Sequence, residues 1–278
     1  MRLVVLTGLG LEHRFVTRAL LQAFAHSVDA VLIAHPPRRG LASRVRGYVR
    51  RYSFSQLVSR ICARAYRRVI GLETRRRRTL QRVLFPAEDS AQIPPPALTR
   101  TLPSLNGSEA LATLDSLQPD IIAVYGTALI TPAVIARARL AALNMHTGIS
   151  PRYRGSDTVF WPLHNREPEW IGTTIHELDP GIDSGPILAT VRPSIDPDDD
   201  EDTLFAKCVM VGATAYIAAI RAVAAGTSRR APQDLSAGKQ YRFVDRTVAA
   251  ERRVRRLLQD GLLRNPPTVS NREVHAPD

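Results

Sequence analysis

Apolar residues fall along this chain in short blocks that switch between two periods. Residues 2–8, RLVVLTG, form a nearly unbroken apolar run closed by glycine, the pattern of a strand covered on both faces. The next block, EHRFVTRALLQAF at 12–24, places Phe15, Leu20, Leu21 and Phe24 at helical spacing. VDAVLIAH at 28–35 is a second strand. A helix between two such strands predicts a parallel sheet with right-handed crossovers. The rhythm returns at 108. SEALATLDSLQ reads as a helix capped by Ser108, PDIIAVYG as a buried strand, and TPAVIARAR as a short helix with Pro132 in its first turn. ALNMHTG is the next strand, a helix follows near SDTVFWPLHN, and IGTTIHELD and PILATVRPSI are two more strands. A long helix runs from the acids at 198–202 to Gly226, its negative charges at the end where the helix dipole favours them. The expected fold is α/β, an open and mainly parallel sheet with helices on both faces.

Two stretches break the rhythm. Between 38 and 92 the sequence is rich in arginine, with Val45, Val49, Leu57, Val58 and Ile61 spaced for one helical face. One or two amphipathic helices inserted between sheet elements are expected there. IPPPALTRTLPSLNG at 93–107 reads as a proline-rich connector. These features predict one domain over 1–226 and a short extension over 227–278, with one helix at 248–259 and disorder near the end.

Charge alters this picture less than its size suggests. The 278 residues carry a net +12, which raises nucleic acid as a partner. Fifteen arginines face one acid, Glu73, between Arg38 and Arg82, whereas 104–226 is close to neutral. A solvated basic helical face, or a landing zone for an anionic substrate, fits that distribution better than specific nucleic-acid binding. No apolar run approaches the ~18 residues of a membrane span. Cys62 and Cys208 are far apart and form no CxxC pair, which predicts a reducing, cytoplasmic setting without a thiolate metal site.

The candidate chemistry centres on LNMHTGISPRYRG, 143–155. Asn144 and His146 lie two apart on one strand and so share a face, at the carboxyl end where open parallel sheets bind ligands. A neutral imidazole accepts a proton near pH 7, and an asparagine amide donates to a developing oxyanion. Asp183 lies between Gly181 and Gly185 in DPGIDSGPIL, where a bend of the loop brings a carboxylate back to His146. The alternative is that Asp179 and Asp183 serve only local turns. Gly8 and Gly10 stand between the first strand and first helix, a place where backbone N–H groups hold phosphate, although the stretch is not a full GxGxxG. Among the aromatics after the strand, Tyr153 is the one expected at the site, beside Arg154 and Gly155 of the basic turn. His176, Asp179 and Asp183 are too loosely spaced to predict a metal site.

Taken in order, PDIIAVYGTALITPAVI, NMHTGISPRYRG and GTTIHELDPGIDSGPIL resemble the folate-dependent formyltransferases, whose branches act on glycinamide ribonucleotide, methionyl-tRNA and nucleotide-linked amino sugars. The likeness covers about 120–190 and implies a Rossmann-like formyltransferase fold. It implies that Asn144, His146 and Asp183 are the catalytic set and that the co-substrate is 10-formyl-tetrahydrofolate, without a metal. It further implies that the pterin lies against Tyr125, Gly126, Thr127, Ala128, Leu129 and Ile130 and near the loop with Asp179 and Gly181, and that the Gly8–Gly10 corner faces the acceptor.

The acceptor implied is a small, phosphate-bearing amine. Methionyl-tRNA enzymes carry a C-terminal barrel of about a hundred residues, whereas some fifty follow Gly226 here. Glycinamide ribonucleotide enzymes lack a long insertion after the second strand. The chain, with GKQYRF near its end, looks most like the amino-sugar branch. Another small amine, or a non-catalytic basic RNA-binding relative, remains the alternative. Whether the tail packs on a second copy to make a homodimer stays open.

Overall fold

A computed structural model of the chain describes residues 1–35, 52–87 and 94–264. Strands β1 (Leu3–Thr7), β2 (Val28–Ala34), β3 (Thr99–Leu102), β4 (Ile121–Tyr125), β5 (Ala141–His146), β7 (Thr173–Glu177) and β8 (Ile187–Val191) form one sheet in the order β3-β2-β1-β4-β5-β7-β8. Pairing is parallel from β3 through β5 and antiparallel for β5–β7 and β7–β8. The chain moves outward from β1 to β3 and then returns to place β4 on the other side of β1. That reversal opens a crevice at the carboxyl ends of β1 and β4, the usual ligand site of such sheets.

The near-continuous apolar strands follow from cover on both faces. Leu3, Val5, Ile121, Ala123, Leu143 and Met145 pack with Leu20, Leu84, Val209 and Tyr216 on one side. These partners come from α1 (Leu11–Ala23), α3 (Leu72–Leu84) and α7 (Glu201–Ala224). The alternate residues Val4, Leu6, Ile122, Val124 and Ala142 pack with Leu114 and Val134 on the other, from α4 (Ser108–Leu117) and α5 (Pro132–Ile135). The period-two alternation of each strand is what sorts its residues between these two cores.

Helices α2 (Phe54–Val69) and α3 occupy the arginine-rich segment, and α2 opens with a capping box at Ser53 and Gln56. The remainder of that segment, 38–51 and 88–92, and the expected disorder at the C-terminus lie outside the described residues. Three differences from expectation are informative. The proline-rich connector contains β3, a four-residue edge strand paired with β2; its Thr99 and Thr101 suit a strand, and its shortness hides any period. By length and composition α7 is apolar enough to cross a bilayer, so the chain does hold a run of spanning length. Its Leu204, Cys208, Val209, Tyr216 and Ile220 are buried, packed against β5, β7, β8, α1 and α3. Finally, the tail packs on the core. β9 (Lys239–Tyr241) pairs in parallel with β6 (Tyr153–Gly155), and α8 (Val248–Gln259) joins α6 (Phe160–Asn165) in a third apolar cluster with Tyr153, Trp161, Tyr241 and Val254.

Candidate active site

The site begins at the end of β5. Leu143 and Met145 point into the core, so Asn144 and His146 take the other face and end at the crevice. The antiparallel partner β7 sets His176 directly opposite Asn144. Asn144 Nδ2 donates to His176 Nε2 at 3.1 Å and to Asp183 Oδ1 at 3.3 Å. His176 Nδ1 donates to its neighbour, the Glu177 carbonyl, at 2.7 Å, which leaves Nε2 as the acceptor for Asn144. Both amide hydrogens of Asn144 are therefore committed.

His146 is buried between two oxygens. Nδ1 lies 3.4 Å from Asp183 Oδ2, and Nε2 lies 3.1 Å from the Tyr153 carbonyl. A neutral ring has one N–H, so one lone pair must face an oxygen; a protonated ring donates to both. The two oxygens favour the protonated ring, and burial opposes it. Burial lowers the His146 pKa from its ordinary 6.5, with Asp183 pulling the other way and His176 adding to the fall.

Asp183 reaches the site because its loop turns back sharply. Its φ is +48°, a left-handed conformation uncommon for a residue with a side chain. The loop is stitched from inside and outside. Asp179 accepts from Gly181 N and Ser184 Oγ, and Gln233 Nε2 of the tail donates to the Asp183 and Gly185 carbonyls. Gly155 N donates to Asp183 Oδ2 at 2.9 Å. Burial pushes the Asp183 carboxyl up, but His146, His176 and the Gly155 amide outweigh it and hold the group well below the usual carboxylate range.

The three residues open onto a cleft of about 780 Å³, a volume suited to a small-molecule ligand. Its walls include Tyr125 to Ile130, Gly155 to Phe160, Gly181 to Asp183, and Gln240 to Val244. Every residue expected in the loop after β4 therefore lines it, as do Gly155 and Gly181. The other candidates do not. Asp179 spends its carboxylate on its own loop. The Tyr153 ring is buried behind the site, its hydroxyl donating to Glu167 Oε2, and only its carbonyl meets His146. Arg154 turns aside to the Ile182 carbonyl. At the Gly8–Gly10 corner the Gly10 amide is already used: Gly10 N donates to His13 Nδ1 at 3.0 Å. The space beside Gly8 is filled by the His13 ring, 3.1 Å from where a Cβ would stand, and that beside Gly10 by the Glu12 carboxylate, 2.7 Å from where one would stand.

Sequence reasoning passed over His13 and weighed His176 only as a metal ligand, not as a partner of Asn144. His13 lines the cleft and donates from Nε2 to the Gly126 carbonyl, tying the turn after β1 to the loop after β4. Its signal was its place three residues after Gly10, where a side chain reaches back to the N-cap amide. Among the described residues, no group of three or more His, Cys, Asp and Glu side chains is disposed to hold a metal ion.

Comparison with known proteins gives concordant results. The sequence model of the family described as formyl transferase matches residues 64–220, more than half of the chain. The methionyl-tRNA formyltransferase of Chlorobium chlorochromatii is 31% identical over 153 residues, which are 53% of this chain and 48% of that protein. The chain thus aligns with about half the length of the curated relatives it matches. Among solved structures, a sugar N-formyltransferase from a Shewanella species superposes with a TM-score of 0.56 at 11% identity, over 92% of this chain and 88% of the other. An N-formyltransferase of Helicobacter canadensis, solved with folinic acid and dTDP-3-aminofucose, gives 0.52 at 15% identity, over 89% and 73%. At such identities the superpositions establish a shared fold.

Proposed function

Because the chain belongs to the formyl transferase family, we propose that it moves a formyl group from 10-formyl-tetrahydrofolate to a primary amine, with Asn144, His146 and Asp183 as its catalytic residues. The observation that carries this reading is the His146 ring held between Asp183 and the Tyr153 carbonyl on the floor of the cleft. The folate supplies a formyl carbon already bonded to nitrogen. An amine that attacks this carbon must shed a proton, and the carbonyl oxygen gains negative charge. His146 takes the proton, and Asp183 stabilises the imidazolium that results. Asn144 turns one hydrogen from its longer bond, to Asp183, towards the developing oxyanion. As the original carbon–nitrogen bond breaks, His146 returns a proton to the departing folate nitrogen, and the site is reset.

The cleft suits such a co-substrate. Leu129 and Ile182 present apolar surface at its mouth, and the backbone of Gly126 to Ile130 belongs to no strand and offers amides and carbonyls to a flat heterocycle. The acceptor we propose is the amine of a nucleotide-linked amino sugar. The outer wall carries Gln56, Gln240, Arg242 and Phe243, with Arg242 and Phe243 mostly exposed. Those groups suit a phosphate and a planar base. The Helicobacter canadensis protein was solved with a molecule of this class.

A panel assay decides between acceptors. Tetrahydrofolate release would be followed with dTDP- and UDP-linked amino sugars, glycinamide ribonucleotide and methionyl-tRNA, the last because curated relatives carry that name. Turnover with an amino-sugar nucleotide is expected. Turnover with methionyl-tRNA alone would replace the acceptor and leave the chemistry standing; no release with any amine would remove the activity.

A further inference from the structure

Two of the contacts that hold the catalytic pair come from backbone rather than side chains. The Tyr153 carbonyl meets His146 Nε2, and the Gly155 amide meets Asp183 Oδ2. Both belong to β6, only three residues long and, among the described residues, paired with β9 alone. Whatever fixes β9 therefore helps to fix these two groups.

The pairing is close. Lys239 N donates to the Arg152 carbonyl at 3.0 Å and Ser156 N to the Tyr241 carbonyl at 2.9 Å. A Cβ on Gly238 would collide with the Pro151 carbonyl, and one on Gly155 with the Tyr241 carbonyl. The Tyr153 and Tyr241 rings stack at 5.6 Å, and Asn165 Nδ2 donates to both hydroxyls. Five residues beyond β9, Arg246 is buried among three carboxylates. It grips Glu201 with two nitrogens at 2.8 Å each, Glu251 through Nε at 2.8 Å, and Asp157 at 2.9 Å, and lies 3.9 Å over the Phe160 ring. Asp157 stands two residues after Gly155, with a φ of +58°. Arg246 thus fastens the turn from both sides, through the strand before it and through the residue after β6.

We propose that strand β9 and its anchor Arg246 clamp the catalytic turn, which makes Arg246 a positioning residue for formyl transfer. The clamp lies outside residues 64–220, the portion shared with the family. The inference rests on the proposed activity, but its structural half can be read without it.

The full chain would carry Arg246→Gln, Arg246→Lys or, at the opposite end of β9, Gly238→Ala, with exposed Arg255→Ala as control. Exchange of the Ser156 amide reports the β6–β9 pairing, and steady-state kinetics report its effect on the chemistry. In Arg246→Gln and Gly238→Ala, Ser156 exchange is expected to rise about 100-fold and kcat to fall about 30-fold, while both KM values stay within about threefold. Lysine cannot reproduce the two-nitrogen grip on Glu201, so Arg246→Lys falls between wild type and Arg246→Gln. Gly238→Ala leaves the charge cluster intact, so it serves even where Arg246→Gln does not fold. Faster Ser156 exchange with kcat within about twofold of wild type would overturn the positioning role. Unchanged exchange in both variants would overturn the clamp itself. A wild-type chain inactive with every acceptor would remove the proposed activity instead. The His146 ring resonances then decide the clamp: they must shift in both variants, and unshifted resonances reject it.

Discussion

His146 lies between a carboxylate and a carbonyl, and its pH behaviour follows from that setting. Burial lowers its pKa below 6.5 despite Asp183, with His176 contributing to the fall. The ring is then already neutral at pH 7 and gains a proton only below the ordinary histidine range. The acid limb of kcat/KM is expected below pH 6.5; a limb above that value would contradict the assignment. Asp183→Asn removes the one neighbouring charge that raises the pKa, so the limb moves to lower pH as kcat drops. Asn144→Ala removes the proposed oxyanion donor and is expected to lower kcat about 100- to 1,000-fold, measured by tetrahydrofolate release with the fold checked by circular dichroism. The three central residues were legible because strand alternation puts two on one face and glycines on both sides of Asp183 free its loop to turn back. His176 was not, since its role depends on an antiparallel register that no local pattern encodes. At Gly10, where backbone N–H groups were expected to hold phosphate, a side chain three residues on takes the Gly10 amide.

At the scale of elements, α7 does more than cover the sheet. The fully buried Tyr216 hydroxyl accepts from Val124 N at 2.7 Å and donates to the Leu143 carbonyl at 2.7 Å, bridging β4 and β5 one residue before Tyr125 and Asn144. Tyr216→Phe removes these bonds from both backbone groups and is expected to cost about 3 kcal/mol in denaturant unfolding. A loss under about 1 kcal/mol would show that the strands pair without it. The N-terminus of α7 carries the opposite kind of feature. Burial, with Glu201 adding, raises the Asp202 pKa to about 6 despite Arg76 and Arg75. A carboxyl whose folded pKa is raised favours the folded state below its unfolded pKa and loses that contribution as pH rises through about 6. Asp202→Asn is thus expected to gain about 2 kcal/mol over wild type at pH 8, the gain vanishing below about pH 4; thermal unfolding at the two pH values checks it. The long elements were readable from periodicity. β3 and β9 were not, because three or four residues carry too little pattern and depend on partners remote in sequence.

For the whole molecule, the alternation of strand and helix was enough to predict the parallel sheet, and the reversal of strand order explains where the cleft opens. The acceptor was beyond such reading, since the outer wall is built from segments near 52–56 and 240–244 that meet only in the folded chain. Ligand linkage tests the proposed co-substrate on the intact protein. 5-Formyl-tetrahydrofolate at 100 times its Kd should stabilise the fold by about 2.7 kcal/mol, seen as a rise in Tm, and no rise at saturating concentration would count against a folate site. The bond from Gln233 to the Asp183 loop and the burial of Arg246 carry a temporal consequence. During synthesis, every strand of the main sheet and all of Asn144, His146 and Asp183 leave the ribosome before the segment that holds them in place. If the proposed clamp governs activity, a nascent chain acquires its architecture first and its chemistry last, and a ribosome stalled between those two points would display a folded but idle protein.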